Sequence, residues 1–311
     1  MLTIATFNLC NLDAAASRER VARLGAIIAN DLGAPDIVAL QEVVAISRSV
    51  DGPVPAEAAY QALIAAIGGA GGPDYDFREI PPLAQHDGGM AGANIRVGLL
   101  FNPARVGFPD RGQAGPEDRV GILFSEGRPG LTLNPGRIDP KNPAFTGDER
   151  CHWAPSRKAL AAELLWEGRQ LFVIVCHLKS MRSQVRREQD YAKKQRHAQA
   201  AIVHDFAAVL LACDPQAAVV VLGDLNDVPG SKTLKLLKGA LFHNLLDDLP
   251  PQYCYTRRHG QQPQALDHIL VSPALRRGAV VRIPHLHSNA APGGPTPASD
   301  HDPVLAVLAA I

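Results

Sequence analysis

The stretch Ala217–Leu225, AAVVVLGDL, decides the fold. Three consecutive valines inside a short apolar run suit a buried strand: the run is too short for a helix and rich in β-branched side chains. It ends on Gly223 and the carboxylate of Asp224. A charge at the mouth of a buried strand is costly unless other groups pair with it. Two features are therefore expected elsewhere in the chain: more strands of this kind, and polar partners at their ends.

Both are present. Strand-like runs recur as LTIATFNL (2–9), DIVALQEV (36–43), VGLLF (97–101), LFVIVCHL (171–178), ALDHILVS (265–272) and PVLAVLAAI (303–311). Helix-like segments lie between them, at Ser17–Asn30, Ala56–Ile67 and about 184–211, with Ser17 placed to cap the first. From Gly107 to Arg157 the period is lost to Gly, Pro, Asp and Arg, and KALAAELLW then resumes it. That pattern predicts a surface excursion within a single α/β domain over residues 1–311, with sheets covered by outer helices.

Composition narrows the class. Hydrophobic content of 46% and charged content of 20% are those of a globular chain. Lys+Arg and Asp+Glu balance at 31 each, so attraction to a polyanion must come from local clusters. Five cysteines without a CxxC pair argue against a disulfide framework or a thiolate zinc site. No run has the length of a membrane span, and MLTIATFNLC has no leader-like pattern, so the expectation is a cytoplasmic protein with no membrane partner.

The strand ends carry the chemistry. They hold Asn8, Glu42, His177, Asp224 with Asn226, Asp267, and Asp300 with His301 in ASDHDPV. Taken singly, each is an ordinary turn residue. Taken together, at the exits of different strands, they predict one convergent site. Carboxylates and carboxamides are oxygen ligands suited to Mg²⁺, with Mn²⁺ or Ca²⁺ as alternatives, and there is no HExxH zinc motif. The chemistry expected is metal-assisted displacement at phosphorus.

In this order, TFNL, LQEV, HLKS, GDLND, LDHIL and SDHDP resemble the endonuclease/exonuclease/phosphatase superfamily across nearly the whole chain. Within it, ANIRVGLLFNPARV, NPGRIDPKNPAF and SRKALAAEL are similar to bacterial extracellular-nuclease-like proteins, which leaves an exported form open. The resemblance implies a four-layer α/β (α+β) sandwich of two mostly antiparallel sheets flanked by helices, with the site at the strand ends.

Roles follow from residue type and from that resemblance. Glu42 is the expected principal metal ligand, supported by Asn8; Asp300, by resemblance, also ligates the metal and contacts His301. Asp224 would hold and deprotonate the attacking water, and Asn226 would grip the phosphoryl group. Asp267 would fix the tautomer of His301, and His177 is the second histidine by resemblance. Sequence leaves open which histidine protonates the leaving oxygen. Asn94, Arg96 and Arg157 are expected phosphate contacts, although an Arg at a strand end is often simply solvated. Arg182 and Arg186, with Arg187, Lys193 and Lys194, form a basic run after His177 that reads as a rim for a nucleic-acid backbone or as a solvated helix face. The activity expected is a metal-dependent nuclease on DNA or RNA with no obligate protein partner. A phospholipid or inositol-phosphate hydrolase and a catalytically inactive binding module are the alternatives.

Overall fold

In the computed structural model, which describes residues 1–46, 52–125, 127–141, 154–181, 185–288 and 297–309, the valine-rich runs pair into two sheets. The first has six strands in the order β16 (Val280–Arg282), β17 (Val304–Leu308), β1 (Leu2–Leu12), β2 (Ile37–Ile46), β4 (Ala93–Phe101) and β3 (Asp76–Arg78). The second runs β12 (His243–Asn244), β15 (Asp267–Val271), β11 (Ala218–Asp224), β10 (Arg169–His177), β9 (Leu160–Trp166) and β5 (Val106–Gly107), with β8 (Gly136–Arg137) also on β9. Two separate hairpins are β6 (Ile122–Ser125) with β7 (Arg128–Leu131), and β13 (Arg257–His259) with β14 (Gln262–Gln264). Each large sheet has one parallel pair at its centre, β1 with β2 and β10 with β11; every other pairing within them is antiparallel.

Alternation along the strands builds four layers. Leu2, Ile4, Ile37 and Leu99 face Val173, Val220, Leu222 and Ile269 across the space between the sheets. Phe7, Val38 and Leu40 face outward onto helices α1 (Arg18–Ala26) and α2 (Glu57–Gly69). Phe172, Ile174 and Val221 face the other way, onto α3 (Arg186–Cys213) and α4 (Lys232–Lys238). A short α5 (Pro273–Arg276) follows β15. Each fully buried Leu or Val in these layers contributes about 1.5–3 kcal/mol of transfer free energy. Ser17 caps α1 by accepting from the Arg20 amide, as its position predicts; the helix then loosens into one π turn, Ile27–Asp31.

The segment expected to be a surface excursion departs from that expectation. It supplies β6, β7 and β8, and it buries Val120, Leu131 and Ile138 against Phe172 and Ile174. Its few apolar residues are spaced irregularly, so no period announces them. Among the described residues, no helix is long and apolar enough to cross a membrane.

Candidate active site

On three strands of the second sheet the inter-sheet face is apolar up to the residue at the site. On β10, Val173 and Val175 precede His177; on β11, Val220 and Leu222 precede Asp224; on β15, which runs the other way, Asp267 comes first and Ile269 and Val271 follow it. The register puts these ends in one row, with His177 opposite Asp224 and Asp224 opposite Asp267. Gly223 permits the row to form: its φ is +137°, and a Cβ there would lie 1.9 Å from the Cys176 carbonyl oxygen of β10.

The facing sheet contributes Asn8 and Glu42. Asn8 follows Leu2 and Ile4 in alternation and is fully buried. Glu42 reaches the site differently. The β2–β4 register shifts between Gln41 and Val43, and Glu42 sits in this bulge at φ +60°. Alternation alone would turn it toward α1 and α2, where Val38 and Leu40 point; the bulge re-aims it into the cleft. Asn226, at φ +50°, and Asn11, at φ +57°, also line the cleft in left-handed backbone. Such strain persists where surrounding structure holds it.

Asp224 sits at the centre of this arrangement. Asn8 Nδ2 donates to its Oδ2 (3.0 Å), the Asn226 amide to its Oδ1 (2.9 Å), and His177 Nε2 lies 3.4 Å from Oδ2. Burial, then the charge of Asp267, pushes its carboxyl up to about 7. His301 Nδ1 donates to Asp267 Oδ2 at 2.7 Å, which fixes the tautomer and leaves Nε2 for the cleft. Burial opposes the imidazolium, but the Asp267 carboxylate beside it prevails and raises His301 to about 9. Asn226 Nδ2 donates to the Leu178 carbonyl (3.1 Å), which leaves one of its two N–H bonds for another acceptor.

The residues present fit a divalent cation. One ligand atom each from Glu42, His177 and Asp224 lies within 4.8 Å of the others. Two carboxylates beside one imidazole are a donor set that a hard cation neutralises.

The cleft encloses about 420 Å³, and Arg157, Lys179 and Arg257 line it together with His301. Arg157 was expected here and is present, its Nη2 donating to the Leu178 carbonyl (2.7 Å). Asp300 is half-exposed beside the cleft, where its Oδ2 lies 2.7 Å from the Arg257 guanidinium. Arg186 begins α3 on its exposed face, and Arg182 lies outside the described residues.

Asn94 and Arg96 are not brought to the cleft, contrary to their reading as phosphate contacts. Arg96 is 1% exposed and donates to Glu79 (2.8 Å) and to the Asn94 carbonyl (2.9 Å). Asn94 accepts from the Gln85 amide and donates to the Ala45 carbonyl. A single sequence does not show that a buried carboxylate already occupies an arginine. Arg96→Ala is therefore expected to act on stability, by about 3–5 kcal/mol through the stranded Glu79, and to leave kcat unchanged. Denaturant titration beside a kinetic assay checks this; lost turnover at unchanged stability would return Arg96 to the site.

Other supports carried no signal that sequence reasoning used. Arg20 of α1 donates to the carbonyls of Leu9, Cys10 and Ala298, clamping the segment after Asn8 to the one before Asp300. Ser299 donates to the Asn8 carbonyl (2.6 Å) and accepts from the His301 amide (3.1 Å). Thr256 donates to Asp267 Oδ2 (2.6 Å). Their hydroxyl and guanidinium groups act on backbone or on another side chain, so only folding reveals them.

The two sheets end in a buried acid–histidine cluster at an open cleft. The chain belongs to the Endonuclease/Exonuclease/phosphatase family, whose sequence profile matches residues 5–301, and that membership makes it a hydrolase of phosphoester bonds. Truncated TDP2 from Caenorhabditis elegans is similar in structure, with a TM-score of 0.60 at 16% identity over 99% of this chain and 97% of that one. TDP2 of D. rerio complexed with single-strand DNA product has a TM-score of 0.57 at 18% identity over 99% of both chains. Mannosyl-6-phosphatase from Bacteroides thetaiotaomicron has a TM-score of 0.59 at 15% identity, over 99% of this chain and 100% of that one. At these identities the likeness is one of fold. No curated protein matches the sequence significantly.

Proposed function

We propose that the chain is a divalent-metal-dependent nuclease that cuts DNA or RNA phosphodiesters by attack of an activated water. The observation that carries this reading is the convergence of Asp224 and the Asp267–His301 pair on a cleft whose wall bears Arg157, Lys179 and Arg257. A carboxyl raised to about 7 is matched to taking a proton from water near neutral pH, and Asp224 is held for it by Asn8 and Asn226. As the water oxygen bonds to phosphorus, charge grows on the phosphoryl oxygens. His301, kept cationic by Asp267, and the remaining Asn226 N–H stabilise that charge. The P–O bond to the leaving oxygen then breaks, and a proton reaches that oxygen from His301 or His177. Glu42, with Asn8 and Asp300, would hold the metal; Mg²⁺ or Mn²⁺ there supplies positive charge to the phosphoryl group.

The test is a substrate panel on chelated protein resupplied with Mg²⁺ or Mn²⁺: plasmid, single-stranded oligonucleotide, RNA, a chromogenic phosphodiester, a sugar phosphate and a phospholipid. Polynucleotide cleavage that vanishes on chelation and returns with metal is expected. Full activity after exhaustive chelation, or turnover of the sugar phosphate alone, would overturn the reading. D. rerio TDP2 with its single-strand DNA product supports including single strands.

Arg186, Arg187, Lys193 and Lys194 are exposed along the first turns of α3, which follows β10 and His177. If they track a backbone, replacing two or three with Gln flattens the salt dependence of polynucleotide affinity by about 0.7–0.9 units per lost phosphate contact. Hydrolysis of the chromogenic phosphodiester should barely change. An unaltered slope would assign the helix face to solvent and shift the reading toward a small phosphoester.

A further inference from the structure

We infer that Thr256 is a positioning residue for the reaction: its hydroxyl orients Asp267 and, through it, the His301 imidazole. This rests on the roles of Asp267 and His301 given above. Thr256 is fully buried at the approach to β13. Its Oγ1 accepts from two backbone amides, Leu266 (3.0 Å) and Asp267 (3.3 Å). A hydroxyl has two acceptor sites and one proton. With both acceptor sites filled, the proton is directed to Asp267 Oδ2, 2.6 Å away.

That oxygen also receives His301 Nδ1 at 2.7 Å. The aspartate Cβ–Cγ torsion is broad and nearly two-fold, so one donor alone leaves the carboxylate free to exchange its oxygens. Two donors converging on Oδ2 select one orientation and leave Oδ1 without a protein donor among the described residues. A structural hydroxyl would need one partner of any kind; this one has three, and its single proton is committed to the oxygen that holds the histidine. The same residue also holds the chain beside His301, because its carbonyl accepts from the Asp302 amide (2.6 Å). Thr256 thus ties Asp267 to the backbone that carries His301.

The experiment compares Thr256→Val, which keeps shape and removes the donor, with Thr256→Ser, which keeps the donor, using bis(4-nitrophenyl) phosphate with Mg²⁺ or Mn²⁺. Thr256→Val should lower kcat by about tenfold to hundredfold with KM within about threefold. Thr256→Ser should stay within about threefold of the parent. In an Asp267→Asn background Thr256→Val should add less than about threefold, because it acts only through that carboxylate. In metal-free protein, the downfield proton resonance of His301 Nδ1–H should move in Thr256→Val and stay in place in Thr256→Ser. The inference is overturned if Thr256→Val matches the parent while Asp267→Asn is crippled, or if the two losses multiply. Should Thr256→Val not fold, Thr256→Cys, a weaker donor of similar size, decides. Turnover equal to that of Thr256→Ser then counts against the inference, and a loss of about tenfold or more upholds it. Asp267→Asn with undiminished turnover would remove the reading of the site itself, and this inference with it.

Discussion

Asp224→Asn is expected to give a protein that folds, binds substrate and fails to turn it over, with kcat down by about 10²–10⁴-fold and KM within a few-fold. The substitution preserves size and removes the base. It also disturbs the local hydrogen bonding. Oδ1 and Oδ2 both accept, from Asn226 N–H and Asn8 Nδ2, so an amide nitrogen at either place opposes a donor. That conflict costs some stability, but it involves no residue of the basic cleft wall. Single-turnover kinetics with a separate binding measurement checks the split. A loss appearing only in KM would show that Asp224 binds substrate and that the proton goes elsewhere.

His301→Ala and Asp267→Ala should each cost about 10²–10⁴-fold in kcat, and the double variant should be no worse than the worse single one. The reason is the direction of the contacts. Asp267 is fully buried and shares its Oδ2 between His301 Nδ1 and Thr256 Oγ1, so its reach into the cleft is through the imidazole. Without the ring, the carboxylate has nothing to orient; without the carboxylate, burial pushes the ring toward the neutral form. A double loss equal to the product of the single ones would mean that the two act separately, and that Asp267 serves some other group.

The strands that build the core were legible because each is a short, dense β-branched run, and the polar residue at its end stood out against that background. Asn8, His177, Asp224 and Asp267 lie on the inter-sheet face by simple alternation. Glu42 was legible as a residue type, but its route into the cleft was not. A bulge at φ +60° would have been expected to carry Gly, and in this chain a glutamate takes the strain. Arg96 shows the opposite failure: the match of a guanidinium fork to phosphate oxygens suggested a phosphate contact, whereas Glu79, seventeen residues away and just after β3, holds it. In the segment after Gly107, Val120, Leu131 and Ile138 are buried singly, Leu131 at the end of β7 and the other two outside any strand, and periodicity detects only regular burial.

The row formed by His177, Asp224 and Asp267 across β10, β11 and β15 makes the site a gauge of sheet alignment. If β11 slid by one residue against its neighbours, its hydrogen bonds would re-form, but Asp224 would swing to the α3 side and Gly223 would take its place in the row. Such a chain keeps its strands and most of its burial while having no base. In refolding, far-UV signal would therefore count strands whatever their alignment, whereas recovered turnover would count only the molecules in native register. For this protein the enzymatic assay is thus also a measurement of folding fidelity.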